Sequence, residues 1–268
     1  MAAGFRCKQF FVSHQHCAMK VGTDALLLGA WTSVPASGDC LDIGCGSGIL
    51  SLMLAQRTGS SQLIDAVELD SAAAAQARQN VLASPWPGRI RVIERDILTY
   101  PGSADHLAQR RYQQITSNPP YFTAALTNPD RQKQLARHND QLPFAGLLQA
   151  AAVLLAPTGR FSLILPVLEA ERLLVLAKDS GWHLIRSQAV QSQPDKTPAR
   201  LLLELGLQSA GYEQLPVLLV RDEQGHYSPA YRQLLADFIL IFKGGGRCRE
   251  LCHSRQPNFC SCCWRNSI

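Results

Sequence analysis

Residues 40–48 read Cys-Leu-Asp-Ile-Gly-Cys-Gly-Ser-Gly, and this stretch decides the fold. Its first four residues form a short apolar run that predicts a buried strand. The glycines that follow predict a tight turn, because glycine adopts backbone dihedral angles that other residues avoid. The apolar spacing over residues 49–57 then predicts a helix. A strand, a glycine turn and a helix in this order are typical of a parallel α/β sheet.

The same alternation of strands and helices continues along the chain. Six further apolar segments predict strands, at residues 63–69, 89–94, 112–116, 159–165, 182–191 and 200–208. Further helical patterns lie at residues 71–83, 142–155, 167–179 and 230–242. Ser71 is placed to cap the first of these helices. We therefore expect an α/β fold with a mostly parallel, seven-stranded sheet and helices on both faces.

The composition limits the class of protein. The chain has 268 residues, of which 46% are hydrophobic and 18% are charged, and this is the profile of a globular protein. Its length suffices for one large α/β domain with its own core. The sequence shows neither an apolar run long enough to span a membrane nor an N-terminal secretory leader. We therefore expect a cytoplasmic protein with no membrane partner.

Positive charge is concentrated at the C-terminal end. Of the formal net charge of +5, residues 243–268 contribute +4, from five basic residues and one acidic residue. Residues 1–242 are therefore nearly neutral, so binding of a nucleic acid would depend on a local patch. We expect residues 1–242 to form a single domain and residues 243–268 to be a disordered, cysteine-rich tail.

A zinc site in this tail is the alternative. Zinc prefers thiolate and imidazole ligands, and the tail offers Cys248, Cys252, His253, Cys260, Cys262 and Cys263. Structural zinc sites usually have two ligand pairs about a dozen residues apart. Here the second group of cysteines begins only eight residues after the first pair ends. We therefore expect no metal ion.

Acidic side chains are predicted at the carboxyl ends of successive strands, where parallel sheets bind ligands. Glu68 follows Gly48 by 20 residues, a position from which a carboxylate can accept hydrogen bonds from both hydroxyls of a ribose. Asp96, with Ile97 beside it, is placed to bind an adenine amino group. Asp70, two residues after Glu68, is a further candidate for binding this ligand. These positions indicate an adenosyl cofactor.

The spacing of the glycines distinguishes between two such cofactors. Gly44, Gly46 and Gly48 form Gly-x-Gly-x-Gly, whereas dinucleotide-binding proteins have Gly-x-Gly-x-x-Gly. S-adenosylmethionine has no pyrophosphate, and Asp42 can reach its ammonium group directly or through water. The helix after the turn offers unpaired N–H groups to an anionic group. We therefore expect S-adenosylmethionine.

Asn118-Pro119-Pro120-Tyr121 is the most specific motif in the chain. Two consecutive prolines fix the backbone and remove two N–H donors, so nearby carbonyl groups stay free to accept hydrogen bonds. We expect the Asn118 side-chain oxygen and the Pro119 carbonyl to accept both N–H bonds of an exocyclic amine, which orients the nitrogen lone pair. Tyr121 would stack on the target base. Alternatively, the prolines only brace a loop and Tyr121 packs in the core.

Together these motifs resemble the S-adenosylmethionine-dependent amino methyltransferases of the Rossmann-like class I. Three further stretches, at residues 8–10, 19–24 and 27–31, make the chain similar to the bacterial valine-tRNA adenine-N6 methyltransferase family. The resemblance covers about residues 5–242 and stops where the tail begins. It implies methylation of the N6 amino group of the adenosine at tRNA position 37, beside the anticodon.

The resemblance also implies that an N-terminal segment covers the cofactor, with Lys20, Thr23 and Asp24 binding it. On its own, this stretch signals the start of a helix, with Thr23 capping a helix that continues to Trp31.

Six basic residues are candidate contacts to tRNA phosphates. They lie after the diproline motif and in a later loop: Arg131, Lys133, Arg137, His138, Lys196 and Arg200. The alternative is that these are solvated loop residues. We expect tRNA as the macromolecular partner and no stable protein partner.

Other functions are compatible with parts of the pattern. A protein methyltransferase acting on a glutamine amide would use the same four-residue loop, although only about 40 residues precede the glycine turn. An idle RNA-binding module would be expected to lose Asn118 or Glu68, and both are present. A nicotinamide dehydrogenase does not explain the diproline motif. The remaining alternative is purely structural: the glycine turn only caps a helix, and Glu68, Asp70 and Asp96 are solvated acids at the strand ends.

Overall fold

Ten strands and six helices occur in the described part of the computed structural model, which comprises residues 4–15, 17, 20–100, 110–120 and 144–240. The strands are β1 (Gly4–Arg6), β2 (Phe11–Ser13), β3 (Cys40–Ile43), β4 (Ile64–Glu68), β5 (Ile90–Glu94), β6 (Tyr112–Ser117), β7 (Leu155–Pro166), β8 (His183–Gln191), β9 (Arg200–Gly206) and β10 (Glu213–Leu219). The helices are α1 (Thr23–Trp31), α2 (Ile49–Arg57), α3 (Ser71–Leu82), α4 (Phe144–Leu154), α5 (Val167–Asp179) and α6 (Pro229–Leu234).

Eight of these strands form one sheet in the order β10-β8-β9-β7-β6-β3-β4-β5. β9 runs antiparallel to β7 and β8, and the other neighbouring strands are parallel. The prediction of a mostly parallel α/β sheet is therefore confirmed. The chain adds β4 and β5 on one side of β3 and then crosses to β6 and β7 on the other. The strand order reverses between β3 and β6, which is the point where such sheets bind ligands.

The predicted count of seven strands is wrong, because β10 is an eighth strand of this sheet. Pro216 lies in its middle, and a proline cannot donate a hydrogen bond to a neighbouring strand. The structure accommodates it because β10 is an edge strand, and its register with β8 shifts between Leu215 and Leu218. The antiparallel pair β1 and β2 was also not predicted, since strands of three residues are too short to show an alternating pattern.

Helices lie on both faces of the sheet, as predicted. Successive side chains of a strand point to opposite faces, and β3 shows this directly. Cys40 belongs to the apolar cluster that contains the buried residues of α1 and α2. Leu41 and Ile43 belong to the cluster that contains those of α4 and α5. The carboxyl end of β3 is therefore fixed between two packed layers.

Two predicted helix caps are wrong. Gly22, not Thr23, precedes the first residue of α1, and it makes no side-chain capping hydrogen bond. Asp70, not Ser71, caps α3, since its carboxylate accepts the Ala73 N–H at 2.7 Å. The cap precedes the first helical residue, and a carboxylate at that position also interacts favourably with the helix dipole.

The last predicted helix is shorter than expected. α6 starts after Ser228, whose hydroxyl accepts the Tyr231 N–H, and it ends at Leu234. The apolar spacing continues because Leu235, Phe238 and Ile239 are buried, but their backbone forms turns. Among the helices described, none has the length and apolar character needed to cross a membrane.

Candidate active site

The glycine turn presents bare backbone at the carboxyl end of β3. Gly44 and Gly46 have φ angles of 70° and 54°, in the left-handed region that favours glycine. A Cβ atom built on either residue would meet no atom within 4 Å. The N–H groups of Gly44 and Cys45 donate to the Val67 carbonyl at 2.8 and 3.1 Å, which holds the turn against β4. The turn is therefore rigid on one side and open on the other.

Glu68 lies directly beside this turn, at the end of β4. One carboxylate oxygen accepts the Gly46 N–H at 2.7 Å, and the other accepts the Asp70 N–H at 2.9 Å. Each carboxylate oxygen can accept a further hydrogen bond. The two backbone donors orient the carboxylate, so it can receive hydroxyl groups from a molecule placed over the turn.

Asp42 is fully buried in β3, two residues before the first glycine of the turn. Its Oδ2 atom accepts hydrogen bonds from the Ser51 N–H at 3.0 Å and the Ser51 hydroxyl at 2.6 Å. Its Oδ1 atom is buried and has no hydrogen-bond partner within the described ranges. Burial, with a smaller contribution from the Glu68 charge, raises the pKa of Asp42 to about 7 despite the two bonds from Ser51.

Asn118 occupies the matching position on the next strand. β3 and β6 pair in register, with Ile43 opposite Ser117, and the Ser117 hydroxyl donates to the Ile43 carbonyl at 2.9 Å. Asn118 therefore follows β6 where the glycine turn follows β3. Its Oδ1 atom is buried and, among the residues described, no donor reaches it. Pro119 is also buried, while Tyr121 lies outside the described residues.

Two buried oxygen atoms without donors thus lie at the point where the strand order reverses: Asp42 Oδ1 and Asn118 Oδ1. A buried acceptor without a donor costs about 1 to 3 kcal/mol. Such a cost is expected where a ligand supplies the missing donor, because the bound state then recovers it. The pair fits two different bound molecules, with an ammonium group at Asp42 and an amine at Asn118.

Asp96 and Ile97 follow β5 on the same edge of the sheet. Asp96 is half-buried and its Oδ1 atom accepts the Leu98 N–H at 2.9 Å. Ile97 is buried in the layer that also contains Val67. Because β3, β4, β5 and β6 are parallel, the structure brings Asp42, Glu68, Asp96 and Asn118 to one edge, as the sequence predicted.

The segment before α1 approaches this acidic side of the turn. His14 Nδ1 accepts the Val21 N–H at 3.4 Å. Burial, followed by the negative charges of Glu68 and Asp70, raises the pKa of Cys17 to about 11, so this segment lies within their electrostatic reach. The described residues of this segment, 14, 15, 17 and 20–22, are called the strap below.

Asp24 and Arg200 were predicted to bind the cofactor and the RNA, respectively. In the structure they bind each other, with Arg200 Nε at 2.8 Å from Asp24 Oδ2. Lys196 is exposed on the loop between β8 and β9 and pairs with Asp195 at 3.0 Å. The other basic residues predicted to contact RNA, Arg131, Lys133, Arg137 and His138, lie outside the described residues.

Asn80 is a residue of this region that sequence reasoning missed. It is buried on α3, where its side-chain N–H groups donate to the Ser13 carbonyl at 2.7 Å and the Ser47 carbonyl at 2.8 Å. Its side-chain oxygen accepts the Ser13 N–H at 3.0 Å. Asn80 therefore joins the glycine turn to the strand that leads into the strap. The only signal in the sequence is a polar residue on the apolar side of a helix.

Comparison with known proteins agrees with this geometry. Residues 14–165 match the family model described as the methyltransferase small domain. A curated relative named tRNA1(Val) (adenine(37)-N6)-methyltransferase, from Tolumonas auensis, is 47% identical over 236 residues, which are 88% of this chain and 96% of that protein. This chain belongs to the tRNA1(Val) (adenine(37)-N6)-methyltransferase family. A second relative of that name, from Pectobacterium carotovorum, is 45% identical over 89% of this chain and 94% of its own length.

Solved structures of other methyltransferases have the same fold as this chain. A predicted O-methyltransferase from Agrobacterium tumefaciens is 19% identical, with a TM-score of 0.63, over 80% of this chain and 96% of that one. A glycopeptide N-methyltransferase crystallised with sinefungin is 16% identical, with a TM-score of 0.51, over 77% of this chain and all of that one. The predicted Rossmann-like class I fold is therefore confirmed.

Proposed function

We propose that this protein transfers a methyl group from S-adenosylmethionine to the N6 amino group of the adenosine at position 37 of a valine tRNA. The observation that carries the proposal is the pair of buried acceptors, Asp42 Oδ1 and Asn118 Oδ1, at the switch point of the sheet. Relatives that are 42% to 47% identical over nearly nine tenths of the chain are named for this activity. Their names also identify the substrate that we propose here.

The residues present fit S-adenosylmethionine, which when bound would supply a methyl group on a positively charged sulfur. The open face of the glycine turn leaves space for it, and Asp42 Oδ1 would accept a hydrogen bond from its ammonium group. Glu68 would accept the ribose hydroxyls, and Asp96 with Ile97 would bind the adenine. In this proposal Asp70 contributes through its cap of α3.

Asn118 and Pro119 would act on the amine that receives the methyl group. The lone pair of an exocyclic amine on adenine is delocalised into the ring, so the nitrogen is a poor nucleophile. Two acceptors fixed at the diproline corner, the Asn118 side chain and the Pro119 carbonyl, would bind both N–H bonds and direct the lone pair out of the ring plane. A strong general base is not required in this arrangement.

The remaining contacts belong to the RNA. Tyr121 would stack on the target base once that base leaves the anticodon loop. Lys196 is the exposed cation among the described residues that we predicted for RNA, and its pairing with the equally exposed Asp195 is weak enough to be exchanged for a phosphate. A tRNA substrate also implies a cytoplasmic enzyme.

The test is methylation of unmodified valine tRNA with isotope-labelled S-adenosylmethionine, followed by mass spectrometry of the nucleosides. We expect labelled N6-methyladenosine, and we expect a tRNA with guanosine at position 37 to remain unlabelled. Label at another nucleoside would contradict the proposed position. Label on a glutamine-containing peptide, with none on tRNA, would instead favour the protein amide methyltransferase.

A further inference from the structure

Arg221 lies just after β10, on the same edge of the sheet as the candidate active site. β8 and β7 both pair antiparallel with β9, and β10 is parallel to β8. β10 therefore runs in the direction of β7 and β6, so its carboxyl end reaches the edge where Asn118 follows β6. β10 and β6 are four strand-to-strand steps apart, which corresponds to roughly 19 Å.

The guanidinium group of Arg221 is held in a fixed position. Its central carbon lies 4.3 Å from the centre of the Tyr227 ring, and one of its N–H groups donates to the Gly225 carbonyl at 2.8 Å. The Tyr227 ring in turn stacks on the buried Tyr231 at 5.1 Å, with 15° between the ring planes. This stack fixes the guanidinium before any ligand binds.

The backbone around Arg221 is also well supported. Its N–H donates to the Ser192 carbonyl at 3.0 Å, so it adjoins the loop between β8 and β9. A bridge between Arg221 and Tyr227 closes the following turn, and the Asp222 N–H donates to the His226 carbonyl at 2.8 Å. The cation is therefore part of a rigid corner and does not belong to a flexible loop.

Arg221 differs from the two neighbouring cations in having no carboxylate partner in the part of the chain that is described. Arg200 pairs with Asp24 and Lys196 pairs with Asp195. The carboxylate nearest in sequence, Asp222, accepts the His226 N–H at 2.8 Å and lies 3.8 Å from His226 Nδ1. A half-buried guanidinium fixed in this way retains donors that can bind an anion with two oxygen atoms.

We propose that Arg221 binds a backbone phosphate of the RNA substrate, several nucleotides away from the methylated base. The proposal rests on the proposed function, since it needs an RNA on this edge of the sheet. A contact at this distance strengthens binding of substrate and transition state alike. It therefore lowers the KM for RNA and leaves kcat unchanged.

The test compares Arg221→Gln and Arg221→Lys with a matched control, Lys178→Gln. Lys178 is exposed in the last turn of α5, at the opposite edge of the sheet, and its substitution changes the net charge by the same amount as Arg221→Gln. For Arg221→Gln we expect a KM for tRNA raised roughly tenfold, an unchanged kcat, and a salt dependence of RNA binding reduced by about one phosphate contact. For Arg221→Lys, both the KM and the salt dependence should lie between those of the unsubstituted protein and of Arg221→Gln. Lys178→Gln should match the unsubstituted protein in both.

Each outcome separates this inference from the proposed function. If the unsubstituted protein methylates valine tRNA but Arg221→Gln keeps its KM and salt dependence, the phosphate contact is wrong and the function stands. A fall in kcat at constant KM also overturns the contact. If the unsubstituted protein methylates no tRNA, the proposed function fails. Unchanged binding of sinefungin by Arg221→Gln shows that a raised KM does not come from misfolding.

Discussion

Arg200 Nε lies 2.8 Å from Asp24 Oδ2, and this ion pair joins the first residue of β9 to the first turn of α1. Both side chains are about one-fifth to one-quarter exposed, at 24% and 20%. α1 begins where the strap ends, so the pair fixes one end of the segment that approaches Glu68. Two residues predicted for separate ligands therefore form one structural unit.

Substitution of either partner should weaken cofactor binding through the strap. For Arg200→Gln and for Asp24→Asn we expect the Kd of sinefungin to rise about threefold to fivefold, since a partly exposed pair contributes up to about 1 kcal/mol. The double variant should bind sinefungin no more weakly than either single variant, because the ion pair is lost only once. Isothermal titration of the three variants measures this. Additive losses would show that the residues act independently.

Removal of the Asn80 side chain should destabilise the fold. Asn80→Ala leaves the backbone groups of Ser13 and the Ser47 carbonyl without their partner, and we expect a loss of about 2 to 3 kcal/mol in the free energy of unfolding. Chemical denaturation measures it, with the exposed neighbour Gln79→Ala as control. A free energy of unfolding for Asn80→Ala within about 0.5 kcal/mol of that for Gln79→Ala would contradict the role given to these hydrogen bonds.

Burial of Asp42 should make stability depend on pH. Its pKa is raised from 3.8 to about 7, so between these values the folded protein holds a proton that the unfolded chain has released. Through this group, stability is highest at acidic pH and falls as the pH rises towards 7. The slope is at most about 1.4 kcal/mol per pH unit.

Asp42→Asn removes this titration and isolates it from other groups. We expect the free energy of unfolding of the unsubstituted protein, measured relative to Asp42→Asn, to fall from pH 4 to pH 7 and then to level off. Denaturation curves at several pH values provide the comparison. Parallel pH profiles for the two proteins would show that Asp42 is ionised throughout, against the effect of its burial.

We propose that residues 1–242 contain the whole methyltransferase domain. The tail at residues 243–268 contributes +4 of the net charge of +5, so its removal tests whether tail charge contributes to RNA binding. We expect the chain ending at residue 242 to keep its kcat and its KM for tRNA. A large rise in KM would mean that the tail binds RNA.

The sequence predicted which side chains share the carboxyl edge of the sheet, because the features that place them there are local. The glycine turn and Asn118 directly follow strands, Glu68 is the last residue of one, and parallel strands bring their carboxyl ends together. β10 was missed because Pro216 is incompatible with a central strand, and only the tertiary structure shows that this strand is at an edge.

Contacts between distant segments could not be predicted in this way. Asn80 is 67 residues from Ser13, and Arg200 is 176 residues from Asp24. Each of these side chains looks like a solvated polar residue in the sequence, since its partner is identified only after the strands and helices have packed. The same holds for Arg221, whose significance depends on the two tyrosines that follow it.

The central claim is that Asn118 acts on the amine and does not hold the cofactor. Its most direct test is single-turnover methyl transfer to unmodified valine tRNA by Asn118→Ala, with sinefungin affinity measured on the same preparation. We predict transfer at least roughly a hundredfold slower than in the unsubstituted protein, with nearly unchanged affinity. Transfer within about tenfold of the unsubstituted rate, or loss of sinefungin binding that accounts for the defect, would contradict it.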